Sequence, residues 1–266
     1  LETLVGSAIK HGSDIVVARS EGFDNQSGSA WILNNALNGV PYDAPLEPKS
    51  YADHLFQYFL GWPWDKLFRA DFVSREQLQF QPLRTTNDAY FVFSALALAS
   101  RVSCCDEILF HHRSNNSKSL EGSRSKSWRC ALEAMVSIDA RLKDLDLYPA
   151  FRKSYCNWVM NYSYWTISTL PSDVADTYLV ELDAIVHDMP ADQGYYPGLQ
   201  ERLFRELFSK ARSELLSDIV PAKEALVESE RIFEELSGTI EGQNREIESL
   251  QRALSDANQK IDSIYQ

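Results

Sequence analysis

Residues 1–18, LETLVGSAIKHGSDIVVA, predict a helix that leads into a buried strand. The first ten residues place apolar side chains on one helical face: Leu1, Leu4, Val5 and Ala8. Gly12 then ends the helix, because glycine readily adopts the backbone conformation of a C-terminal cap. The apolar run from Asp14 to Ala18 predicts a short strand that is buried on both faces. A helix followed by such a strand is typical of an α/β sheet, so we predict an α/β fold for the first part of the chain.

The segments up to residue 84 predict loops and short helices around this strand. Polar, glycine-containing or proline-rich composition predicts loops at residues 20–28 and 40–50. Helical spacing of apolar residues predicts short helices at residues 30–37, 51–60 and 65–72. The segment Gly61-Trp-Pro-Trp64 separates the last two, because glycine and proline interrupt helices.

The stretch TTNDAYFVFSALALAS, residues 85–100, predicts an apolar helix with an acidic start. Thr85, Thr86 and Asn87 offer side chains for the N-cap, and Asp88 follows them in the first turn. Residues 102–112 then predict a second strand. Asp88 has two interpretations: it stabilises the helix start by about 1 kcal/mol, or it is a catalytic carboxylate held on a rigid helix.

The rest of the chain predicts only helices, at residues 128–144, 149–169, 173–188 and 198–217, with prolines between them. We therefore predict a domain boundary near residue 120, an all-α helical domain over residues 121–220, and a separate C-terminal segment over residues 221–266. The only D-x-D string, Asp144-Leu-Asp146, lies at a predicted helix end, where its carboxylates diverge, and we interpret it as surface charge.

Residues 221–266 predict a coiled coil. Apolar residues recur there at alternating spacings of three and four, interrupted only by Gln243: Phe233, Leu236, Ile240, Ile247, Leu250, Leu254, Ala257, Ile261 and Ile264. A single helix packed on the domain is the alternative, since it also carries an apolar stripe. The strict period favours the coiled coil, which offers a route to a homo-oligomer.

The composition is that of an acidic globular protein. The net charge of −12 argues against nucleic-acid binding, which needs a basic surface. The four cysteines lack metal-binding spacing and predict buried free thiols in a reducing compartment, hence a cytoplasmic protein. The uncharged run at residues 154–172 predicts a buried helix of a soluble domain. Its alternative is a membrane-contacting helix, which would place the protein peripherally at the inner face of the membrane.

Three segments carry the candidate chemistry: GWPWDKLFR at residues 61–69, NDAYF at residues 87–91 and FHHRSNNSKS at residues 110–119. In this order and spacing they resemble the back half of an inverting GT-A glycosyltransferase of family 2, a group of bacterial enzymes that build cell-surface polysaccharides. The opening helix and strand are similar to the segment that follows the metal-binding D-x-D strand of that family. The resemblance covers about residues 1–120.

The resemblance implies a general base and an acceptor site. An inverting transferase needs one base to take the proton of the attacking acceptor hydroxyl, and Asp88 matches that position. Asn87 departs from the usual Glu beside it and is expected in the acceptor site. Trp62 and Trp64 would stack on a sugar, although core packing is the alternative for each. Lys66 would reach an acceptor group or phosphate, or else pair with Asp65 or another acid at the surface.

The third segment implies a donor site. Arg113 suits the diphosphate of a nucleotide sugar, because its planar fork matches phosphate oxygens. Ser117 and Ser119 would donate hydrogen bonds from a loop over the donor. His111 and His112 would point to opposite faces of the strand, and at most one of them would be a metal ligand. The family uses Mg²⁺ or Mn²⁺ held mostly by a D-x-D, which we expect upstream, since the chain opens without Met inside a helix.

These observations lead to two hypotheses. In the first, the chain is part of a glycosyltransferase that moves a sugar from a nucleotide-sugar donor to a saccharide or lipid-linked acceptor. In the second, it is a non-catalytic helical and coiled-coil interaction module with a degenerate glycosyltransferase-like part, which the replacement of Glu by Asn87 would fit.

Overall fold

The fold is known from a computed structural model that describes residues 1–25, 27–33, 37, 39–42, 44–114, 121–187, 189, 190 and 243. The chain divides into two compact units, Leu1–Ala211 and Arg212–Gln266. All described residues except Gln243 belong to the first unit. The predicted helix at 198–217 and the predicted coiled coil lie outside the described residues.

The opening helix and strand are present where the sequence predicts them. Helix α1 spans Glu2–His11, and Gly12 follows it in the left-handed conformation with φ 60°. Strand β1 spans Ile15–Asp24. The prediction of a loop from residue 20 onward is wrong as far as Asp24, because the polar second half of β1 is paired with a strand on each side.

The sheet is mixed, with β1 at its centre. The other strands are β2 (Ala30–Ile32), β3 (Pro45–Leu46), β4 (Lys66–Phe68) and β5 (Val102–Ser114). The order is β2-β1-β5-β3, and β4 also pairs with β1. The β1–β5 pair is parallel, whereas β2 and β4 run antiparallel to β1 and β3 runs antiparallel to β5. The predicted α/β class is confirmed.

Two segments predicted as helices form strands that pair with β1. Residues 30–32 form β2 and residues 66–68 form β4, so the predictions of helices at 30–37 and from residue 65 are wrong. Both segments pair with the buried strand β1, and pairing with a neighbour outweighs weak local helical spacing. The predicted helix at 51–60 is reduced to α2 (Leu55–Tyr58), and α3 spans Ala70–Arg75.

Helix α4, Asn87–Leu98, is the central helix of the unit. Eight of its twelve residues are buried: Ala89, Phe91, Val92, Phe93, Ser94, Ala95, Leu96 and Ala97. Its only acidic residue in the first turn is Asp88. The apolar body of the helix therefore fixes the position of its polar first turn.

Of the three helices that follow β5, the first packs on α4, the second on α2, and the third on the first and the second. They are α5 (Arg129–Asp144), α6 (Tyr148–Thr169) and α7 (Ser172–Val186). The Phe56 N–H donates to Ser154 Oγ over 2.7 Å, and the Phe93 and Trp158 rings meet edge to face at 4.9 Å. Both Ser154 and Trp158 are buried residues of α6. The boundary near residue 120 stays a prediction.

Two further expectations concern the thiols and the uncharged run. All four cysteines are free, as predicted; Cys104, Cys105 and Cys156 are also buried as predicted, whereas Cys130 is only partly buried. Burial raises the pKa of the Cys104 thiol to about 12. The uncharged run lies mostly in α6, and among the described residues no helix is long and apolar enough to span a bilayer.

Candidate functional site

Three aromatic rings from two distant segments form one cluster. The Trp62 and Trp64 rings lie 4.9 Å apart at 20°. The His112 ring lies 5.6 Å from Trp62 and 5.5 Å from Trp64, nearly parallel to both. Phe110 meets Trp64 edge to face at 6.1 Å. The structure therefore joins the first and third predicted motifs; we call Trp62, Trp64 and His112 the aromatic cluster.

A buried ammonium group holds the loop that carries the two tryptophans. Lys66 Nζ donates to the carbonyls of Leu60 and Trp62 over 2.9 and 2.7 Å, and to Asp65 Oδ1 over 2.6 Å. The side chains of Lys66 and Asp65 are 0% and 1% exposed. An ammonium group has three donors, and all three are used. Lys66 therefore does not reach an acceptor: it pairs with Asp65, as the alternative predicted, although the pair is buried and not at the surface, and it fixes the shape of the Trp62–Trp64 loop.

The same loop lies against the start of helix α4. A Cβ atom added to Gly61 would lie 3.2 Å from the Phe93 ring and 3.5 Å from the Ala89 Cα atom. A side chain at this position would push the Phe93 ring aside by a few tenths of an ångström, so glycine allows the closest approach. Because Ala89 follows Asp88 directly, the aromatic loop is packed beside the turn that carries the predicted base.

Asp88 has an unpaired carboxylate in a partly buried position. Among the described residues, no hydrogen bond or ion pair to this carboxylate is present. Burial raises the pKa of Asp88 above the usual range of an aspartate. A partly desolvated carboxylate without a structural partner keeps its lone pairs for a ligand and has greater affinity for a proton.

The start of α4 has no side-chain cap; residues that follow β5 in the chain contact it instead. Thr86 occupies the N-cap position with φ 59° and makes no capping hydrogen bond through its side chain. Its hydroxyl lies 3.0 Å from the Tyr162 hydroxyl of α6, and the Thr85 hydroxyl lies 3.0 Å from Ser127 Oγ. The prediction of ordinary Thr caps is wrong in this respect. The sequence offered no signal for Tyr162, because its contact spans 76 residues.

We predict that Tyr162→Phe loosens the start of α4. The variant loses only the hydroxyl that meets Thr86, so the free energy of unfolding should fall by about 0.5–1.5 kcal/mol. Urea denaturation measures this change. The matched control is Tyr164→Phe, because Tyr164 is exposed on the same helix. This substitution should change the free energy of unfolding by no more than about 0.5 kcal/mol. Equal stability of the two variants would contradict the role given to Tyr162.

The end of strand β5 divides its polar residues between two faces. His111 Nδ1 lies 2.8 Å from Glu21 Oε1, and the Arg113 guanidinium lies 5.7 Å from the centre of the Phe23 ring. His112, between them, stacks on the tryptophans. Successive strand residues alternate in direction, so the predicted opposite orientation of the two histidines is confirmed. Arg113 therefore lies on the face away from the aromatic cluster.

The remaining predicted ligands do not assemble here. Within the described part of the chain, no group of three or more His, Cys, Asp or Glu side chains is arranged to hold a metal ion. The described residues therefore do not fit a divalent-cation site by themselves. Ser117 and Ser119 lie outside the described residues, and Asn87 is partly buried at the start of α4. Asp144 and Asp146 are exposed, as expected for surface charge.

Comparison with known proteins adds no family assignment. A scan against models of protein families finds no match, and a search of curated protein sequences finds no significant relative.

Proposed function

We propose that this chain contributes the acceptor side of an inverting glycosyltransferase that uses a nucleotide sugar. The observation that carries the proposal is the unpaired, partly buried Asp88 carboxylate on the first turn of α4. An inverting transfer requires one base beside the acceptor hydroxyl. A base on a rigid, buried helix keeps its position while substrates exchange.

In this mechanism the acceptor sugar lies on the indole faces of Trp62 and Trp64. The apolar C–H face of a pyranose packs on such a ring, which orients the hydroxyl groups at its edge. Asp88 takes the proton of one hydroxyl as that oxygen attacks the anomeric carbon of the donor, and the nucleoside diphosphate leaves. Lys66 keeps the Trp62–Trp64 loop in place through its hydrogen bonds to the Leu60 and Trp62 carbonyls. Asn87 remains a candidate for a hydrogen bond to the acceptor.

On the donor side, the residue that the resemblance puts forward for the diphosphate is Arg113. Arg113 is exposed at the end of β5, and no carboxylate among the described residues pairs with it. Its planar fork matches a diphosphate, but the side chain lies on the face of β5 away from the aromatic cluster, so Arg113 is not placed beside the proposed acceptor site. Mg²⁺ or Mn²⁺ would neutralise the leaving group if acidic residues outside the described part supply its ligands. Saccharide or lipid-linked acceptors of bacterial surface polysaccharides are the substrate class that we propose, with transfer in the cytoplasm or at the inner membrane face.

The raised pKa of Asp88 predicts the pH dependence of transfer. The base works only as a carboxylate, so kcat/KM should fall as the pH falls through the pKa of Asp88. Because burial raises this pKa, the decline should begin at a higher pH than the value of about 3.9 for an ordinary aspartate would give. A pH–rate profile of nucleoside diphosphate release measures this limb. A rate that stays level down to the range of an exposed carboxyl would contradict the assignment.

The second candidate is a non-catalytic interaction module. The helices α5–α7 expose several large apolar side chains that a partner could cover: Val136, Tyr164, Trp165 and Val180. This function requires no chemistry at Asp88. Release of nucleoside diphosphate that depends on a saccharide acceptor distinguishes the candidates, because only the first produces it.

A further inference from the structure

A third indole lies on the strand next to the candidate site. Trp31 of β2 stands directly across from Gly22 of β1 in the antiparallel ladder. A Cβ atom on Gly22 would lie 2.6 Å from Cε2 and 2.7 Å from Cζ2 of Trp31. Any side chain there would collide with the ring, so glycine is what allows the indole to lie over β1. The residue nevertheless remains 42% exposed.

The register of the sheet places Trp31 and the aromatic cluster on one face. Gly22 stands across from Trp31 on one side and across from His112 on the other. Residues that stand across from each other in neighbouring strands point to the same face. Two strand spacings put the Cα atoms of Trp31 and His112 about 10 Å apart. Because the Trp31 ring lies over Gly22, it fills part of that interval.

We propose that Trp31 is a second sugar-binding platform, so that the row from Trp31 to the aromatic cluster binds a chain of at least two sugar units. The inference rests on the proposed function, because it extends the acceptor site along β2. One unit would lie on the Trp62 and Trp64 rings near Asp88. A preceding unit of the same acceptor would lie on Trp31. The site would therefore prefer an oligosaccharide to a single sugar.

The chemistry of the row fits a neutral saccharide. Exposed indole faces match the C–H faces of sugars, and polar groups at their edges match hydroxyls. The cluster also holds an unused polar atom, since His112 Nδ1 is buried without a hydrogen-bond partner among the described residues and would pair with a hydroxyl only if the bound sugar reached it. A buried polar atom of this kind is costly until it is paired.

The charge of the protein argues against the other common occupant of such a platform. Nucleobases also stack on exposed aromatic rings, but single-stranded nucleic acids require a basic groove along the backbone. This chain has a net charge of −12, and the face of β1 opposite the row carries Glu21. A proline-rich peptide, which also docks on aromatic rings, is the remaining competitor and is included in the test.

The test is calorimetric titration of the chain with neutral hexose and N-acetylhexosamine oligomers of one to six units. We expect affinity to increase from one unit to longer oligomers. Trp31→Ala should weaken binding of the longer oligomers about tenfold, as loss of one stacking platform does, and leave binding of single sugars unchanged. Gly22→Ala should act in the same direction, because it retains the indole and displaces it.

The controls separate this inference from the proposed function. Trp165→Ala removes another partly exposed indole, on α6, and should leave binding unchanged; thermal unfolding of each variant reports on the fold. Oligomer binding that requires Trp64 but is unaffected by Trp31→Ala would overturn the second platform and leave the acceptor site in place. Absence of saccharide binding, or binding of an oligoproline peptide instead, would overturn both.

Discussion

Replacing Asp88 by Asn should reduce transfer by about 10²- to 10⁴-fold, the contribution of a general base, and leave the fold intact. The amide has nearly the same shape but does not accept the proton of the acceptor hydroxyl. Because Asp88 makes no hydrogen bond among the described residues, the variant loses only the attraction between its charge and the helix start. The free energy of unfolding should therefore change by less than about 1 kcal/mol.

The matched control is Asp173→Asn. Asp173 is also an acidic residue in the first turn of a helix, α7, and it is exposed. Its replacement should leave transfer unchanged. Turnover and urea denaturation of both variants, measured on the protein at its full natural length, separate the two interpretations of Asp88. If Asp88→Asn retains full turnover and only loses stability, Asp88 is a structural residue of the helix start.

Replacing Lys66 by Met should cost about 3–5 kcal/mol of stability, since the Asp65 carboxylate would stay buried without its partner. The carbonyls of Leu60 and Trp62 would lose their donor as well. The midpoint of urea unfolding should fall to a lower concentration, and saccharide binding should be lost, because this loop positions the two tryptophans. Circular dichroism reports the unfolding, and calorimetry reports the binding.

A surface pair of the same length provides the control. Lys143 Nζ lies 2.6 Å from Asp139 Oδ2, but Lys143 is 57% exposed. Lys143→Met should cost less than about 1 kcal/mol, because solvent screens the pair. Changing Lys66 to Met together with Asp65 to Leu should recover part of the loss, since neither charge remains buried alone. A Lys66→Met variant as stable as Lys143→Met would contradict the anchoring role.

The sequence predicted the parts of the fold that local patterns determine. Helices α1, α4 and α5–α7 and strand β5 carry long runs of consistent periodicity and lie within a few residues of their predicted places, whereas β1 begins as predicted but extends six residues further, to Asp24. Residues 30–32 and 66–68 are too short for a period to distinguish strand from helix. Their conformation is decided by pairing with β1, which is a contact between distant parts of the chain.

The candidate site shows the same division. The resemblance put forward Asp88, Trp62 and Trp64, whose roles stay predictions, and strand alternation correctly predicted the opposite directions of His111 and His112. They did not predict that Lys66 is buried, because a lysine in a polar segment is usually exposed. Nor did they predict that Arg113 faces away from the tryptophans, since this depends on which face of β5 the Trp62–Trp64 loop covers, a contact between segments distant in sequence. The platform at Trp31 is visible only through its position across from Gly22.

The most direct test of the account is release of nucleoside diphosphate from a panel of nucleotide sugars by the protein at its full natural length, with and without oligosaccharide acceptors. The account predicts that at least one donor is consumed in a way that depends on the acceptor, and that Asp88→Asn removes this release while Asp173→Asn retains it. Donor consumption that Asp88→Asn leaves unchanged, or no release with any donor and acceptor pair, would contradict the assignment of Asp88 as the base of a glycosyltransferase.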